Sequence, residues 1–424
     1  MPSAELRKIT PVRSVNARIH LPPSKSYTNR ALIAAALADG DSKIHNYSKS
    51  DDSCLLIAAL RDLGIKISER KHYLEISGTN GIISPSAKEL NIGNAGTSMR
   101  FLTSLVSLAH GETRINGDER MRTRPIQDLL DGLRMAGIRS TSVNGCPPVT
   151  IHGGAFNGGI IELNASSSSQ FLSSILLIAP YAKHAATVHP SGHISSLPYV
   201  DMTLHVMREF GAVIDFIAPS TYIVSNSDRY VGHEMTIESD ASSATYFLAA
   251  AAIAGGKVEI ANLTIDSLQG DIRFLDILKQ MGSVVGHSDN SVELHSAGLF
   301  GIEIDMNELP DCVPTLAVLA AFAEGPSVIS NVAHLRYKET NRLEALAVEL
   351  KKLGAGVDLT DDSITIHPRP LHGAVIETYN DHRMAMSFAL AGLRVPDVRI
   401  ANPMCVTKSF PGFWEEFSKL ETKE

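Results

Sequence analysis

Six short stretches built almost entirely of small and apolar residues recur along this chain at intervals of about 70 residues, and no other feature restricts its fold as much. They read NRALIAAALADG, MRFLTSLVSLAHG, QFLSSILLIAPYA, TYFLAAAAIAGG, PTLAVLAAFAEG and RMAMSFALAGL. Each is expected to be a helix, and a helix with alanine and leucine on every side lacks a broad polar face and must be buried. Sheets are expected to wrap them. In five units a second, amphipathic helix ends on a glycine, at Gly64, Gly137, Gly211, Gly282 and Gly354, where a left-handed C-terminal cap is the natural reading. The sixth ends instead in FPGFWEEFSKL. Short β-branched runs such as KVEIANL and SITIHP follow the helices, so a helix, strand, helix, strand rhythm should repeat six times.

A chain of 424 residues exceeds what one core usually serves, and six units divide into two domains of three with a boundary near Met235. The strand-like RKITPV precedes the first unit and fits either half. Assigned to the second half, it gives domains of 19–235 and of 1–18 with 236–424. The net charge of −8 argues against a general nucleic-acid binder. Cys54, Cys146, Cys312 and Cys405 form no CxxC pair, so neither a zinc site nor a disulfide framework is indicated. Reduced cysteines, a start (MPSAELRKIT) without a signal peptide's apolar stretch and interrupted apolar runs lead to the expectation of a cytoplasmic protein that does not enter membranes.

Polar residues concentrate just before the small-residue helices. LPPSKSYTNRAL puts Lys25, Ser26 and Arg30 at a helix start, where two cations repel the helix dipole unless an anion arrives. NIGNAGTSMR offers Asn94, Gly96 and Thr97 for close backbone approach and Arg100 as a charged fork. No GxxxxGK[ST] loop and no GxGxxG turn occurs. GDERMRTRP adds Arg120, Arg122 and Arg124, a cluster that also fits a solvated loop. ASSSSQF presents Ser168, Ser169 and Gln170, and SSLPYVD presents Ser196 and Tyr199. The second half supplies Asp311, Lys338, Glu339, Arg342, His382, Arg383 and Lys408. Taken singly, most of these read as caps or surface pairs. Their recurrence at equivalent places describes a bed of cations for a multiply anionic ligand, with Asp311 and Glu339 kept for proton transfer.

LPPSKSYTNRAL, NIGNAGTSMR, ERMRTRPI, SSSQFL, DASSATYFLAAAA, LPDCVPTLAVLA, RYKETNRL, NDHRMAM and TKSFPGFW together resemble, in order and from end to end, the 3-phosphoshikimate 1-carboxyvinyltransferase family of enolpyruvyl transferases. The resemblance implies a two-domain inverted α/β barrel, each domain three βαβαββ units with buried helices, closing over an active site in the cleft between them. It implies phosphoenolpyruvate and shikimate 3-phosphate as substrates, glyphosate as inhibitor, and no cofactor or metal; a monomer is a separate expectation, which no feature of the sequence carries. Carried over residue by residue, Lys25, Ser26, Arg30, Ser168, Ser169, Gln170, Ser196, Asp311 and Lys338 correspond to contacts of shikimate 3-phosphate. Lys25, Gly96, Arg124, Gln170, Arg342, Arg383 and Lys408 correspond to contacts of phosphoenolpyruvate, and Asp311, Glu339 and Lys25 to the acid and base groups. Asn94, Thr97, His334 and His382 are further candidates.

Two residues depart from the family pattern: Phe101 stands where many members have proline, and His334 where many have asparagine. The first implies weaker glyphosate binding than the proline pattern gives, although Gly96 leaves the inhibitor room. A sister family acting on UDP-N-acetylglucosamine usually carries a reactive cysteine in its first domain, and no cysteine lies between Cys54 and Cys146. A non-catalytic anion-binding protein on the same scaffold would not need Lys25, Asp311 and Glu339 together.

Overall fold

The computed structural model describes residues 5–421. All six small-residue stretches form helices, Lys25–Leu37, Gly96–Leu105, Ser169–Ile178, Ala241–Ala254, Val313–Ala320 and His382–Gly392. Every residue of Ala241–Ala254 is buried, as its composition requires. Side-chain caps start four of these helices: Ser24, Ser168, Asp240 and Asp381 accept from the backbone N–H of Tyr27, Gln170, Ser243 and Arg383. The chain divides into two compact units, a contiguous one, Pro23–Glu238, and a discontinuous one, Met1–Pro22 with Ser239–Glu424. Each has its own apolar core, and the three small-residue helices of each lie within it.

Hydroxyl groups tie the core helices where no larger side chain fits. In the discontinuous unit Thr245, Thr315 and Ser387, one from each helix, form a chain of 3.3 and 3.2 Å contacts. In the contiguous unit Ser104 donates to Ser174 at 2.9 Å.

One four-stranded sheet recurs five times. Its first two strands run parallel, and the other pairings are antiparallel; Glu234–Thr236, Asp41–His45, Tyr73–Ser77 and Lys66–Glu69 form one example. The alternation of strands places residues such as Leu74 and Ile76 inward, which fixes the register against the buried helices. A sixth sheet has three strands, with Val375–Ile376 parallel to Arg399–Ala401 and Leu6–Lys8 antiparallel to the latter. The strand within RKITPV therefore pairs in the discontinuous unit.

The last strand before each crossing of the unit boundary pairs within the unit that the chain is leaving. Val15–Ile19 runs on toward the first helix of the contiguous unit but pairs with Gly256–Ile260 of the discontinuous unit. Glu234–Thr236 precedes the helix Ala241–Ala254 but pairs with Asp41–His45.

The five expected glycine stops all have positive φ, from 88° to 106°. At each, the glycine N–H bonds the carbonyl three residues back and the next N–H reaches five back, as in Gly64 to Arg61 and Ile65 to Leu60. This is the Schellman arrangement, which satisfies carbonyls the helix end would otherwise leave open. Among the described residues no helix is long and apolar enough to cross a membrane.

Candidate active site

Each unit carries a charged cluster, built at the starts of its buried helices. In the contiguous unit Lys25 is the first residue of its helix, whose first turn has no acidic residue. Its ammonium lies 3.1 Å from Asp52, in the first turn of the helix Asp51–Asp62. Ser26 contributes its backbone carbonyl to Arg30 Nη1 at 2.9 Å. Arg30 also donates from Nε to Thr203 Oγ1 at 2.7 Å and from Nη2 to the Tyr199 carbonyl at 2.8 Å. Burial lowers the Arg30 guanidinium to about 10, which leaves it charged at neutral pH.

The helix Gly96–Leu105 has Ala95 as its cap, with no side chain to satisfy its leading N–H groups. That end is open to an anion. Arg124 covers it: its Nη1 donates to Asn94 Oδ1 at 3.1 Å, and a Cβ added to Gly96 would meet Arg124 Nη2 at 2.5 Å. Gln170 Nε2 donates to Thr97 Oγ1 at 3.3 Å, which joins the second and third helix starts. Ser168 caps the third helix and Ser169 is buried at its first position. Ser196 has a φ of 59°, and its carbonyl accepts from the Tyr199 N–H.

Asn94, Gly96, Thr97, Arg124 and Gln170 thus form one connected set, and Ser26, Arg30 and Tyr199 another. Arg122 turns to Asn116 Oδ1 and Arg120 to Thr123 Oγ1. Arg100 bridges from the Gly96 carbonyl to the Pro125 carbonyl and so holds the loop that carries Arg124.

In the discontinuous unit the centre is Arg342, first residue of the helix Arg342–Lys352. Its side chain is 1% exposed and meets three carboxylates: Asp311 at 3.0 Å, Glu339 at 2.7 Å and Asp381 at 2.8 Å. Arg383 donates to the other oxygen of Asp311 at 2.6 Å and to the Tyr246 hydroxyl at 3.0 Å. Burial opposes ionisation of Asp311, but Arg383, Arg342 and Lys338 outweigh it and hold the carboxyl well below the usual range. Burial likewise opposes the charge on Arg342, and Asp381, Glu339 and Asp311 reverse that effect and raise it. His334 is buried, with Nε2 unpartnered among the described residues. Burial and then Lys338 push its imidazole down to about 3, so it is neutral at working pH. His382 is buried in the first turn of its helix, and Lys408 ends the 3-10 turn Pro403–Lys408 with little exposure.

The sequence reading passed over several groups that hold this machinery. Asp381 both caps a helix and binds Arg342, a double role that an aspartate directly before HisArg hinted at. Asp52 and Thr203 carried no local hint, because their partners lie 27 and 173 residues away.

The profile of the family described as EPSP synthase (3-phosphoshikimate 1-carboxyvinyltransferase) matches residues 9–417. The 3-phosphoshikimate 1-carboxyvinyltransferase of Trichormus variabilis is 43% identical over 413 residues, 96% of this chain and 97% of that protein. That of Methanospirillum hungatei is 43% identical over 408 residues, 94% of each chain. Among solved structures, EPSP synthase from Acinetobacter baumannii superposes with a TM-score of 0.80 at 29% identity, covering 98% of both chains. An enolpyruvyl transferase from Streptomyces tendae also reaches 0.80, at 20% identity, a likeness of fold. A family match over nearly the whole length, on a chain whose helix starts gather these cations and carboxylates, identifies it as a member of the EPSP synthase family, the 3-phosphoshikimate 1-carboxyvinyltransferases.

Proposed function

We propose that this enzyme transfers the enolpyruvyl group of phosphoenolpyruvate to the 5-hydroxyl of shikimate 3-phosphate and releases phosphate. The observation that carries the residue assignment is Asp311 clasped between Arg342 and Arg383, with Glu339 on the same arginine.

Held by two guanidiniums, Asp311 is ionised but a poor base. A substrate phosphate or carboxylate that takes up Arg342 and Arg383 withdraws positive charge from Asp311 and raises its basicity. The base is thereby activated by the binding of the molecule it serves. Asp311 then accepts the proton of the 5-hydroxyl as the oxygen bonds to C2 of phosphoenolpyruvate, and Glu339 delivers a proton to the methylene carbon. In the second step the bond from C2 to the phosphate oxygen breaks as Asp311 returns its proton to the departing phosphate, Glu339, now a carboxylate, takes back a methyl proton, and the enol ether and phosphate leave.

The four anionic groups of the two substrates call for several cations. Lys25, Arg124, Arg342, Arg383 and Lys408, with Gly96 and Gln170, are assigned to phosphoenolpyruvate. Lys25, Ser26, Arg30, Ser168, Ser169, Gln170, Ser196, Asp311 and Lys338 are assigned to shikimate 3-phosphate. Glyphosate is proposed to compete at the Gly96 and Arg124 end, and the enzyme to act as a cytoplasmic monomer.

The test is phosphate release from phosphoenolpyruvate by purified protein, with shikimate 3-phosphate and UDP-N-acetylglucosamine compared as acceptors. Release with the first alone is expected. Turnover with the second alone would overturn the reading.

A further inference from the structure

Arg30 and Arg342 are both buried guanidiniums, yet they are stabilised in opposite ways. Arg342 is surrounded by three carboxylates. Arg30 is 2% exposed and, among the described residues, pairs with none. Two carbonyls and one hydroxyl take three of its five N–H donors. Two aromatic rings also lie close: the guanidinium carbon is 5.5 Å from the Phe101 ring centre and 5.9 Å from that of Tyr199.

Both distances fall within the reach of a cation–π contact, which is strongest where water is excluded. Phe101 is itself 1% exposed, so the contact is dry. Counted from their caps, Ser24 and Ala95, Arg30 and Phe101 occupy the same position in neighbouring buried helices. The phenylalanine that departs from the family pattern is therefore placed against a cation of the site.

We propose that Phe101 is a positioning residue for the reaction: its ring, with that of Tyr199, fixes the Arg30 guanidinium while leaving its remaining N–H donors for an anionic acceptor substrate. A carboxylate partner would neutralise Arg30 and compete with that substrate. Ring faces stabilise the charge without using its donors, so the full charge is kept for the ligand. The inference rests on the reading that Arg30 contacts shikimate 3-phosphate.

The test replaces Phe101 with leucine and, in a second series, with 4-fluoro- and 3,4,5-trifluorophenylalanine. Fluorination keeps the ring's shape and drains negative charge from its face, so these variants retain the packing if leucine disturbs it. The KM for shikimate 3-phosphate should rise roughly three- to thirtyfold in the leucine variant, the range cation–π contacts span. It should climb in steps with fluorination, while kcat and the KM for phosphoenolpyruvate stay near wild type. An unchanged KM for shikimate 3-phosphate across the fluorinated series, with Arg30→Gln still raising it, would overturn the role of Phe101 alone. Wild-type protein that fails to turn over shikimate 3-phosphate, or Arg30→Gln that leaves its KM unaltered, would remove the underlying reading instead.

Discussion

Asp311 is the proposed base, and its surroundings make its replacement informative. Asp311→Asn keeps the shape but takes one negative charge from between Arg342 and Arg383. Turnover should fall by at least about a hundredfold, with shikimate 3-phosphate affinity changed far less; steady-state kinetics and titration of the substrate decide it. His334 yields a pH-dependent expectation. Its folded value of about 3 lies below the roughly 6.5 of an unfolded histidine. As pH falls from 6.5 toward 3 the unfolded chain takes up a proton the folded chain refuses, so this group's stabilising effect is present above 6.5 and declines with acid. His334→Asn should remove up to about 2–3 kcal/mol of the loss between pH 6.5 and 4.5, measurable by urea unfolding at the two pH values. Equal acid sensitivity in both proteins would refute it. Lys25, Arg342 and Arg383 were legible because they sit in sequence at helix starts. The cations' partners Asp52, Thr203 and Tyr246 were not, since only tertiary packing sets a lysine or an arginine against a residue far along the chain.

Helix starts decide how these residues are presented. The helix Gly96–Leu105 begins without a side-chain cap and beneath Arg124, so Gly96→Ala must displace that guanidinium. The KM for phosphoenolpyruvate should rise about tenfold or more, the scale of a disturbed charged hydrogen bond, and glyphosate inhibition should weaken further than that. Comparing the inhibition constant with KM in both proteins checks it, and an unshifted KM would show that Arg124 adapts without consequence. Asp381 has two tasks at another start, capping His382–Gly392 and binding Arg342. Asparagine caps as well as aspartate but carries no charge. Asp381→Asn should therefore leave the cap intact and destabilise the unit by about 1–3 kcal/mol through Arg342, as read by thermal unfolding. Phe101 is the sixth residue of its helix, so Phe101→Pro would remove a buried ring and an interior N–H together. Leucine and fluorinated phenylalanines are the cleaner probes of that position. Element types were readable from alanine-rich runs and terminal glycines. The pairing of Leu6–Lys8 was not, because three residues carry no periodicity that could choose between two sheets.

At the scale of the molecule, every strand in the sheets of the contiguous unit comes from within Pro23–Glu238, and the apolar core there is its own. Residues 23–238 expressed alone should unfold cooperatively in urea. A gradual, non-cooperative loss of circular dichroism would refute it. Residues 239–424 alone should fail the same test, since they lack Val15–Ile19 and Leu6–Lys8 and expose the edges of two sheets. The split of the discontinuous unit into two chain segments also imposes a schedule on biosynthesis. Val15–Ile19 leaves the ribosome long before its neighbour Gly256–Ile260, and Leu6–Lys8 longer still before Arg399–Ala401. At roughly 5–20 residues per second the wait is on the order of tens of seconds. Throughout it the nascent chain carries two unpaired strands tethered to a neighbouring unit that has the means to fold first, and whatever shields them in that interval governs how much of the newborn enzyme reaches its native form.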